Sequence, residues 1–301
     1  MHTRYEAPGP TAGRPAPGDR RILPWLGLAS LLLLPTFSRA EETGRGTARP
    51  ILPGAPIVLF NGRDLSNFYT WLGKSGREDP DRVFSVVDRI DGAPALRISG
   101  QHLGALITTS DYADYRLVVE FRWGNITWRP RVERGRDSGL LLHGQGEDGN
   151  SNDPQFHSPW IRSVEFQLIE GGTGDLLLLG GYERGRSEQL YPRLTLSVTP
   201  GTRIWNPNGK PTEFERGRID WSGRDPKWTD TLGFRGTADV ENPLGQWNRV
   251  EAVCRGGDIT CFVNGVKVNE GRNGTFTRGR ILLQSEGAEI FFRRVELHPL
   301  E

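Results

Sequence analysis

Apolar and polar residues alternate in short runs along most of the chain, and turn-forming residues separate the runs about every ten positions. In residues 116–123 the alternation puts Leu117 and Phe121 on one face, and residues 163–169 repeat the pattern. No amphipathic helical period appears after residue 51. The pattern predicts an all-β sandwich of two antiparallel sheets. Further strands are predicted at 104–108, 138–143, 175–179, 193–198, 247–255, 259–268, 279–284 and 289–298.

Two local signals refine this picture. Asn264-Gly265 provides the positive φ angles that a tight hairpin turn needs, and this predicts a turn between Val263 and Val266. Residues 200–243 are rich in proline and tryptophan and show no alternation. We interpret them as a long loop, and loops of that length usually serve function or cover a site.

The first forty residues have the three-part layout of a secretion signal: basic residues, an apolar run from Ile22 to Phe37, and a small-residue exit that ends at Ala40. The run is shorter than the roughly 20 apolar residues of a membrane-spanning helix. We expect cleavage after Ala40 and a periplasmic or secreted protein without membrane contact, and an uncleaved N-terminal anchor is the alternative. Residues 41–56 are then a linker, and 57–301 form one domain.

The charge composition limits the classes of molecule that the protein is expected to bind. Lysine and arginine number 38 and aspartate and glutamate 37, a net charge of +1. No large field of one sign favours nucleic acid or an anionic membrane as partner, so we expect a small, neutral ligand. The oligomeric state stays open.

The only cysteines, Cys254 and Cys261, lie symmetrically about Gly257-Asp258. A two-residue turn at those residues would set them opposite each other, and an exported protein meets oxidising conditions. A disulfide and two buried free thiols are equally open interpretations, because that turn would place the pair at the wider, hydrogen-bonded type of site.

Seven segments together resemble the 3-keto-disaccharide hydrolase domain family of exported bacterial proteins. They run in order over most of residues 57–300: IVLFNGRDLSNFYTW, DYADYRLVVEFRW, RDSGLLLHG, IRSVEFQLIEGGTGDL, ENPLGQWNRVEAVC, ITCFVNGVKVN and GRILLQSEGAEIFFRRVEL. The resemblance implies a concanavalin- or laminin-G-like jelly roll that acts on carbohydrate. The chain departs from the family pattern at His143, where arginine is more usual, and in a longer tryptophan-bearing stretch at 200–235.

In a jelly roll the outward face of one sheet curves into a groove, so polar residues of neighbouring strands can converge there. Glu165 and Gln167 share a strand face, and this E-x-Q pair belongs to the resemblance. Glu120 and Arg122 form a similar pair, for which a surface salt bridge is the alternative. His143 alternates with Leu140 and Leu142, and its pKa suits a general base or acid. We therefore predict Glu165, His143, Arg122 and Glu120 as catalytic residues.

The same surface suggests residues that bind substrate. Gln167, Gln284 and Glu286 are polar candidates, and Trp205 and Trp221 could stack on sugar rings. For these tryptophans, as for Trp228, a small core under the long loop is the alternative interpretation.

The chemistry that the family implies starts from a ketone at C3 of a sugar, which acidifies the proton on C2. A base such as Glu165 removes that proton, a group such as Arg122 or His143 stabilises the enolate, and the substituent at C1 leaves. Direct hydrolysis by the carboxylate pair Glu120 and Glu165 is the alternative mechanism. A carbohydrate-binding module without catalysis and a structural surface domain are the rival functions.

No cofactor is secure, although a divalent cation could also hold an enolate. Residues 148–153 begin like a calcium loop but lack its glycine and its final glutamate. Asp148, Asn150, Asn152 and Asp153 are the weak candidates for ligands of that ion.

Overall fold

The structure, a computed structural model, describes residues 49–301. The predicted signal segment 1–40 and residues 41–48 of the predicted linker lie outside this range. Within it the chain forms β-strands and no helix, so the all-β prediction is confirmed. None of residues 49–301 forms a helix that could span a membrane.

Seventeen strands occur in this part of the chain. Their bounds are β1 Ile57–Val58, β2 Phe68–Leu72, β3 Phe84–Ile90, β4 Ala93–Ile98, β5 Gly104–Thr108, β6 Tyr115–Thr127, β7 Asp137–Gln145, β8 Arg162–Ile169, β9 Leu176–Leu179, β10 Leu194–Val198, β11 Lys210–Phe214, β12 Gly217–Ile219, β13 Asn248–Arg255, β14 Asp258–Val263, β15 Val266–Arg272, β16 Arg280–Ser285 and β17 Ala288–His298.

Two antiparallel sheets form the predicted jelly-roll sandwich. The ten-stranded sheet has the order β11-β10-β15-β14-β13-β6-β17-β4-β3, and β1 pairs with β17. The seven-stranded sheet has the order β12-β9-β8-β7-β16-β5-β2. The strand β6 thus lies in the middle of one sheet, and β7, β8 and β16 are neighbours in the other.

The main core fills the space between the sheets. Leu117 and Phe121 enter it from β6 and Phe166 from β8, and all three are fully buried. These are the positions that the alternation assigns to the inner face. Burying each such side chain stabilises the fold by roughly 1.5 to 3 kcal/mol.

A second apolar cluster lies on the opposite, outer side of the seven-stranded sheet, around Leu141 and Leu282. Residues 146–161 cover it: the indole of Trp71 donates to the carbonyl of Ser158 at 2.8 Å, and that of Trp160 donates to the carbonyl of Gly104 at 3.2 Å. Part of this outer face is therefore shielded from solvent, unlike the wet face that alternation alone predicts.

The segment 200–243 is more ordered than the predicted loop. Its strand β11 extends the ten-stranded sheet beside β10, and β12 extends the seven-stranded sheet beside β9. The segment therefore crosses from one sheet to the other along one edge of the sandwich. The irregular interpretation was wrong for these two strands, whose exposed edge positions carry few apolar residues.

The hairpin turn at Asn264-Gly265 is confirmed, with φ angles of 48° and 84°, and it divides the predicted strand 259–268 into β14 and β15. The preceding turn lies one residue earlier than the cysteine argument assumes, because Arg255 pairs with Asp258. Cys254 consequently faces Ile259, and Cys261 faces Ala252. Both cysteines are buried free thiols, and burial raises the pKa of Cys254 to about 12.

Part of the predicted linker is attached to the domain. The amide of Ile51 donates to the carbonyl of Asp111 at 2.8 Å, and the carbonyl of Ile51 accepts from Ala113 at 3.2 Å. Contacts with the sandwich therefore begin before Ile57, where the family-like sequence starts.

Candidate active site

Glu165 is the centre of the candidate site, on the outer face of the seven-stranded sheet. The register places it between Leu177 of β9 and Leu141 of β7, and only 3% of it is exposed. No hydrogen bond or ion pair to its carboxyl group occurs within residues 49–301. Burial, reinforced by the nearby charge of Glu286, raises the pKa of Glu165 to about 8. It is a desolvated carboxyl group without a direct ion pair, and the nearby charges of Arg218 and Arg131 lower its pKa only in part.

Gly139 of β7 lies directly beside this carboxyl group. A β-carbon at Gly139 would lie 2.5 Å from Oε1 of Glu165 and 2.9 Å from Oε1 of Gln284. The two head groups therefore converge above a residue without a side chain. Oε1 of Gln284 is buried and accepts no hydrogen bond from the described residues, so an unsatisfied acceptor lies beside the carboxyl group of Glu165.

Gln167 and Asp137 occupy the next positions along the sheet. The amide of Gln167 donates to Oδ1 of Asp137 and, at 3.0 Å, to the carbonyl of Ser138. Arg218 of β12 donates to Oε1 of Gln167 at 3.1 Å. Gln167, predicted to bind substrate, is therefore fully engaged, and its amide holds the buried Asp137 in place.

Arg131 joins the acidic groups of the site. It donates to Asp137, to both carboxylate oxygens of Asp230 at 2.9 Å, and to Glu286 at 3.3 Å. Its side chain is only 11% exposed. Burial raises the pKa of Glu286, against the opposing effect of Arg131. Burial and the charge of Glu286 also raise the pKa of Asp137. The site thus combines the enclosed Arg131 with three carboxyl groups that retain protons more readily than usual.

The segment 217–241 forms one wall of the site. Arg218 pairs with the buried Asp175 at 2.8 Å, and Arg224 pairs with the same carboxylate while its guanidinium lies 4.0 Å from the ring centre of Trp228. Asp230 follows in the chain. The supposed loop therefore contributes charged groups to the surroundings of Glu165.

Buried polar contacts attach this wall to the sheets. Arg136 pairs with Glu170 at 2.8 Å, with both side chains at most 6% exposed. Glu241 accepts from the indole of Trp123 at 3.1 Å and from the amide of Gly171 at 2.7 Å. Burial raises the pKa of Glu241 to about 7. These carboxylates have structural partners, in contrast to Glu165.

Glu120 and Arg122 do not belong to the site. Both lie on β6 in the ten-stranded sheet, whose outer face points away from Glu165. Glu120 pairs with Arg293 at 2.5 Å, and Arg122 pairs with Asp91 at 2.8 Å. Their predicted catalytic roles beside Glu165 were wrong because alternation does not reveal to which sheet a strand belongs.

His143 points into the sandwich rather than out of it. Its φ angle of 54° and the bulge in β7 turn the side chain away from the face of Leu141. The ring donates from Nδ1 to the carbonyl of Phe276 at 2.8 Å and meets Tyr115 edge to face at 5.7 Å. Burial lowers the pKa of His143 to about 4. The neutral imidazole is a structural group, and its predicted role in catalysis was wrong.

The predicted sugar-stacking tryptophans are also buried. Trp205 and Trp221 are each 4% exposed and belong to the main core. Both therefore lie in the core between the sheets and not on the outer face that carries Glu165. The alternative interpretation, core packing under the 200–243 segment, is correct for both.

The calcium candidates have protein partners. Asp148 pairs with Arg280 at 2.7 Å and with Arg77 at 3.0 Å, and Asp153 accepts from the amide of Gln155 at 2.9 Å. The side chain of Asn150 donates to the carbonyl of Gln145 and accepts from the amide of Arg162, and that of Asn152 contacts Ser151 and Gln189. Across residues 49–301 no group of three or more histidine, cysteine, aspartate or glutamate side chains is arranged to hold a metal.

Four of the predicted residues therefore come together: Glu165, Gln167, Gln284 and Glu286. Asp137 is not among the predicted residues, although it lies in the segment RDSGLLLHG, two residues before Gly139 on the same strand face. Arg131, Arg218 and Asp230 were not predicted either. Of these three residues only Arg218 lies on a strand, and no periodic pattern marks any of them.

The sequence matches the model of the 3-keto-alpha-glucoside-1,2-lyase-like domain family over residues 55–298. No curated protein matches the chain. Among solved structures, it is similar to a Parabacteroides distasonis protein described as a candidate glycosyl hydrolase, with 17% identity, a TM-score of 0.45 and coverage of 82% of this chain and 94% of that one.

Two further solved structures are similar to the chain. One is a Bacillus licheniformis β-glucanase, with 11% identity, a TM-score of 0.41 and coverage of 82% and 99%. The other is the carbohydrate-binding module CBM66 of Bacillus subtilis, with 9% identity, a TM-score of 0.37 and coverage of 71% and 91%. Similarities this low assign no function.

Proposed function

Because the chain belongs to the 3-keto-alpha-glucoside-1,2-lyase-like domain family, we propose that it is an exported enzyme that cleaves 3-keto-glycosides, with Glu165 as the base that removes the C2 proton. The observation that carries this proposal is the unpaired, buried carboxyl group of Glu165, 3% exposed. Desolvation makes its ionised form a stronger base than an ordinary glutamate.

The proton on C2 is acidic only because the neighbouring C3 carbonyl accepts the electron pair. When Glu165 removes that proton, negative charge develops on the C3 oxygen, and a nearby cation stabilises it. Arg131 is the enclosed cation of the site and replaces Arg122 and His143 in this role. Gln284, whose buried Oε1 has no hydrogen-bond partner among the described residues, would bind a sugar hydroxyl group. The enolate then expels the C1 substituent, and water adds to the resulting double bond.

The rival functions explain fewer features of this site. A carbohydrate-binding module needs hydrogen-bonding groups but no desolvated base, so it leaves the unpaired Glu165 without a purpose. Direct hydrolysis cannot use Glu120 with Glu165, because these residues lie on opposite outer faces of the sandwich.

The test is incubation of the purified protein with a 3-keto-α-glucoside in deuterated water, with the released aglycone and deuterium at C2 followed by NMR. We expect release accompanied by deuterium at C2. Release without deuterium would support direct hydrolysis, and binding without release or exchange would support the binding module.

A further inference from the structure

We propose that Glu286 is the second proton carrier of the site: it protonates the leaving glycosidic oxygen and then takes a proton from the water that adds to C1. This inference rests on the proposed function. Elimination needs an acid for the leaving group as much as it needs a base for C2, and Glu165 cannot serve as both in one step.

Glu286 and Glu165 lie on the same outer face of the seven-stranded sheet. Leu283 pairs with Leu140, and the same register carries Glu286, just beyond the end of β16, to the level of Asp137. Glu165 pairs with Leu141, two positions further along the same face, and its carboxyl group approaches Gly139, the position between. In this proposal the sugar ring lies between the two carboxyl groups.

Glu286 is also more accessible to solvent than Asp137. The side chain of Glu286 is 22% exposed, whereas that of Asp137 is 3% exposed. Asp137 also accepts from both Gln167 and Arg131, so neither of its oxygens is open to substrate. Glu286 has one contact with Arg131, at 3.3 Å. Of the two acids beside Arg131 on this sheet, Glu286 is the one that a leaving group can reach.

The proton balance closes over the whole cycle. In elimination Glu165 takes the proton of C2, the C1–O bond breaks with its electron pair on oxygen, and that oxygen takes the proton of Glu286. In hydration the water oxygen bonds to C1, its proton passes to Glu286, and Glu165 returns a proton to C2. The cycle starts with Glu165 ionised and Glu286 protonated, the reverse of the state in which the charge of Glu286 raises the pKa of Glu165. Both residues recover their starting states, and water is the only co-reactant.

The test compares two 3-keto-glucosides, one with a nitrophenyl leaving group and one with a methyl group. A nitrophenolate leaves without an acid, whereas methoxide does not. We expect Glu286→Gln to lose about 100-fold or more on the methyl glycoside and less than about fivefold on the nitrophenyl glycoside. In deuterated water the variant should still exchange the C2 proton of the methyl glycoside.

Asp230→Asn is the matched control, because Asp230 also binds Arg131 and the proposal gives it no proton transfer. It should change both substrates by the same factor. Equal losses on both substrates in Glu286→Gln, or loss of its C2 exchange, would overturn the role of Glu286 alone. A wild-type protein that neither exchanges C2 nor releases either aglycone would overturn the proposed function, and this inference with it.

Discussion

The two outer faces of the sandwich carry similar sequence motifs and different electrostatics. On β8 of the seven-stranded sheet, Glu165 is followed two residues later by Gln167, and on β6 of the ten-stranded sheet Glu120 is followed by Arg122. Glu165 is 3% exposed and unpaired. Glu120 has arginines on both sides, Arg293 at 2.5 Å and Arg294 at 3.7 Å. The same residue type is a desolvated, unpaired carboxyl group on one face and a salt-bridge partner on the other.

The difference comes from what covers each face. The segment 217–241 and the loop that carries Arg131 enclose the surroundings of Glu165, and the register gives it leucine neighbours on both sides. On the ten-stranded sheet, charges of opposite sign lie side by side and stay near solvent, as in the pair of Arg116 with Glu251. Exposed pairs of this kind contribute little to stability, whereas desolvation changes a pKa strongly.

The largest expected effect is the loss of turnover in Glu165→Gln. Removing the base should lower kcat on a 3-keto-glucoside by about 10³- to 10⁴-fold, because the amide cannot take the C2 proton. Glu120→Gln, the matching change on the other face, should stay within about threefold of wild type. Steady-state kinetics with both variants checks this, and similar losses in the two would erase the contrast between the faces.

The second effect is a pH-dependent loss of stability. The pKa of Glu165 rises from 4.5 to about 8 on folding, so folding favours its protonated form. That contribution is complete below pH 4.5 and is lost as pH rises through 8. The loss is of the order of 4 kcal/mol by pH 9. Urea unfolding at pH 5, 7 and 9 should show Glu165→Gln gaining on wild type as pH rises, while Glu120→Gln follows wild type. A constant difference between Glu165→Gln and wild type would contradict the burial argument.

The third-largest effect on turnover and stability is expected for Arg131→Met. Turnover should fall by about 100-fold because the developing enolate loses its cation. The free energy of unfolding should fall by about 3 kcal/mol, because Asp137 is left buried without a charge partner. Arg122→Met, which breaks only the outer pair with Asp91, should cost less than about 1 kcal/mol and leave turnover unchanged. Kinetics and urea unfolding measure both, and equal destabilisation in the two variants would refute the distinction.

The smallest effect is expected for Gly139→Ala. The new methyl group would displace the head groups of Glu165 and Gln284, whose oxygens lie within 3 Å of its position. Both belong to flexible side chains, so the fold should persist while kcat/KM falls by about tenfold. Gly54→Ala adds a methyl group where no atom lies within 4 Å and serves as the control. Unchanged kinetics in Gly139→Ala would show that substrate does not approach Gly139.

The alternation of apolar and polar residues predicted strand positions and strand faces correctly where these depend on local sequence. The strand 104–108 was predicted with its observed bounds, and Glu165 and Gln167 were placed on one outward face correctly. Gln284 and Glu286 were also predicted to lie on one face, because residues two apart on a strand share a face. The membership of a strand in one sheet or the other depends on long-range pairing, and for this reason Glu120 was misplaced.

Other parts of the site follow from features that alternation does not encode. A positive φ angle turned His143 into the core, which no count of alternate residues foresees. Arg131 and Asp230 lie between strands, so their approach to Asp137 depends on the paths of two loops. The burial of Glu165 similarly depends on segments distant in sequence, although the residue itself was identified.

The most direct test of the account is a titration of the glutamate side-chain carboxyl carbons by ¹³C NMR, with the Glu165 signal assigned by its disappearance in Glu165→Gln. We expect this signal to titrate near pH 8. A midpoint near the ordinary value of 4.5 would show that Glu165 is solvated or paired, and would contradict the central claim that it is a desolvated base.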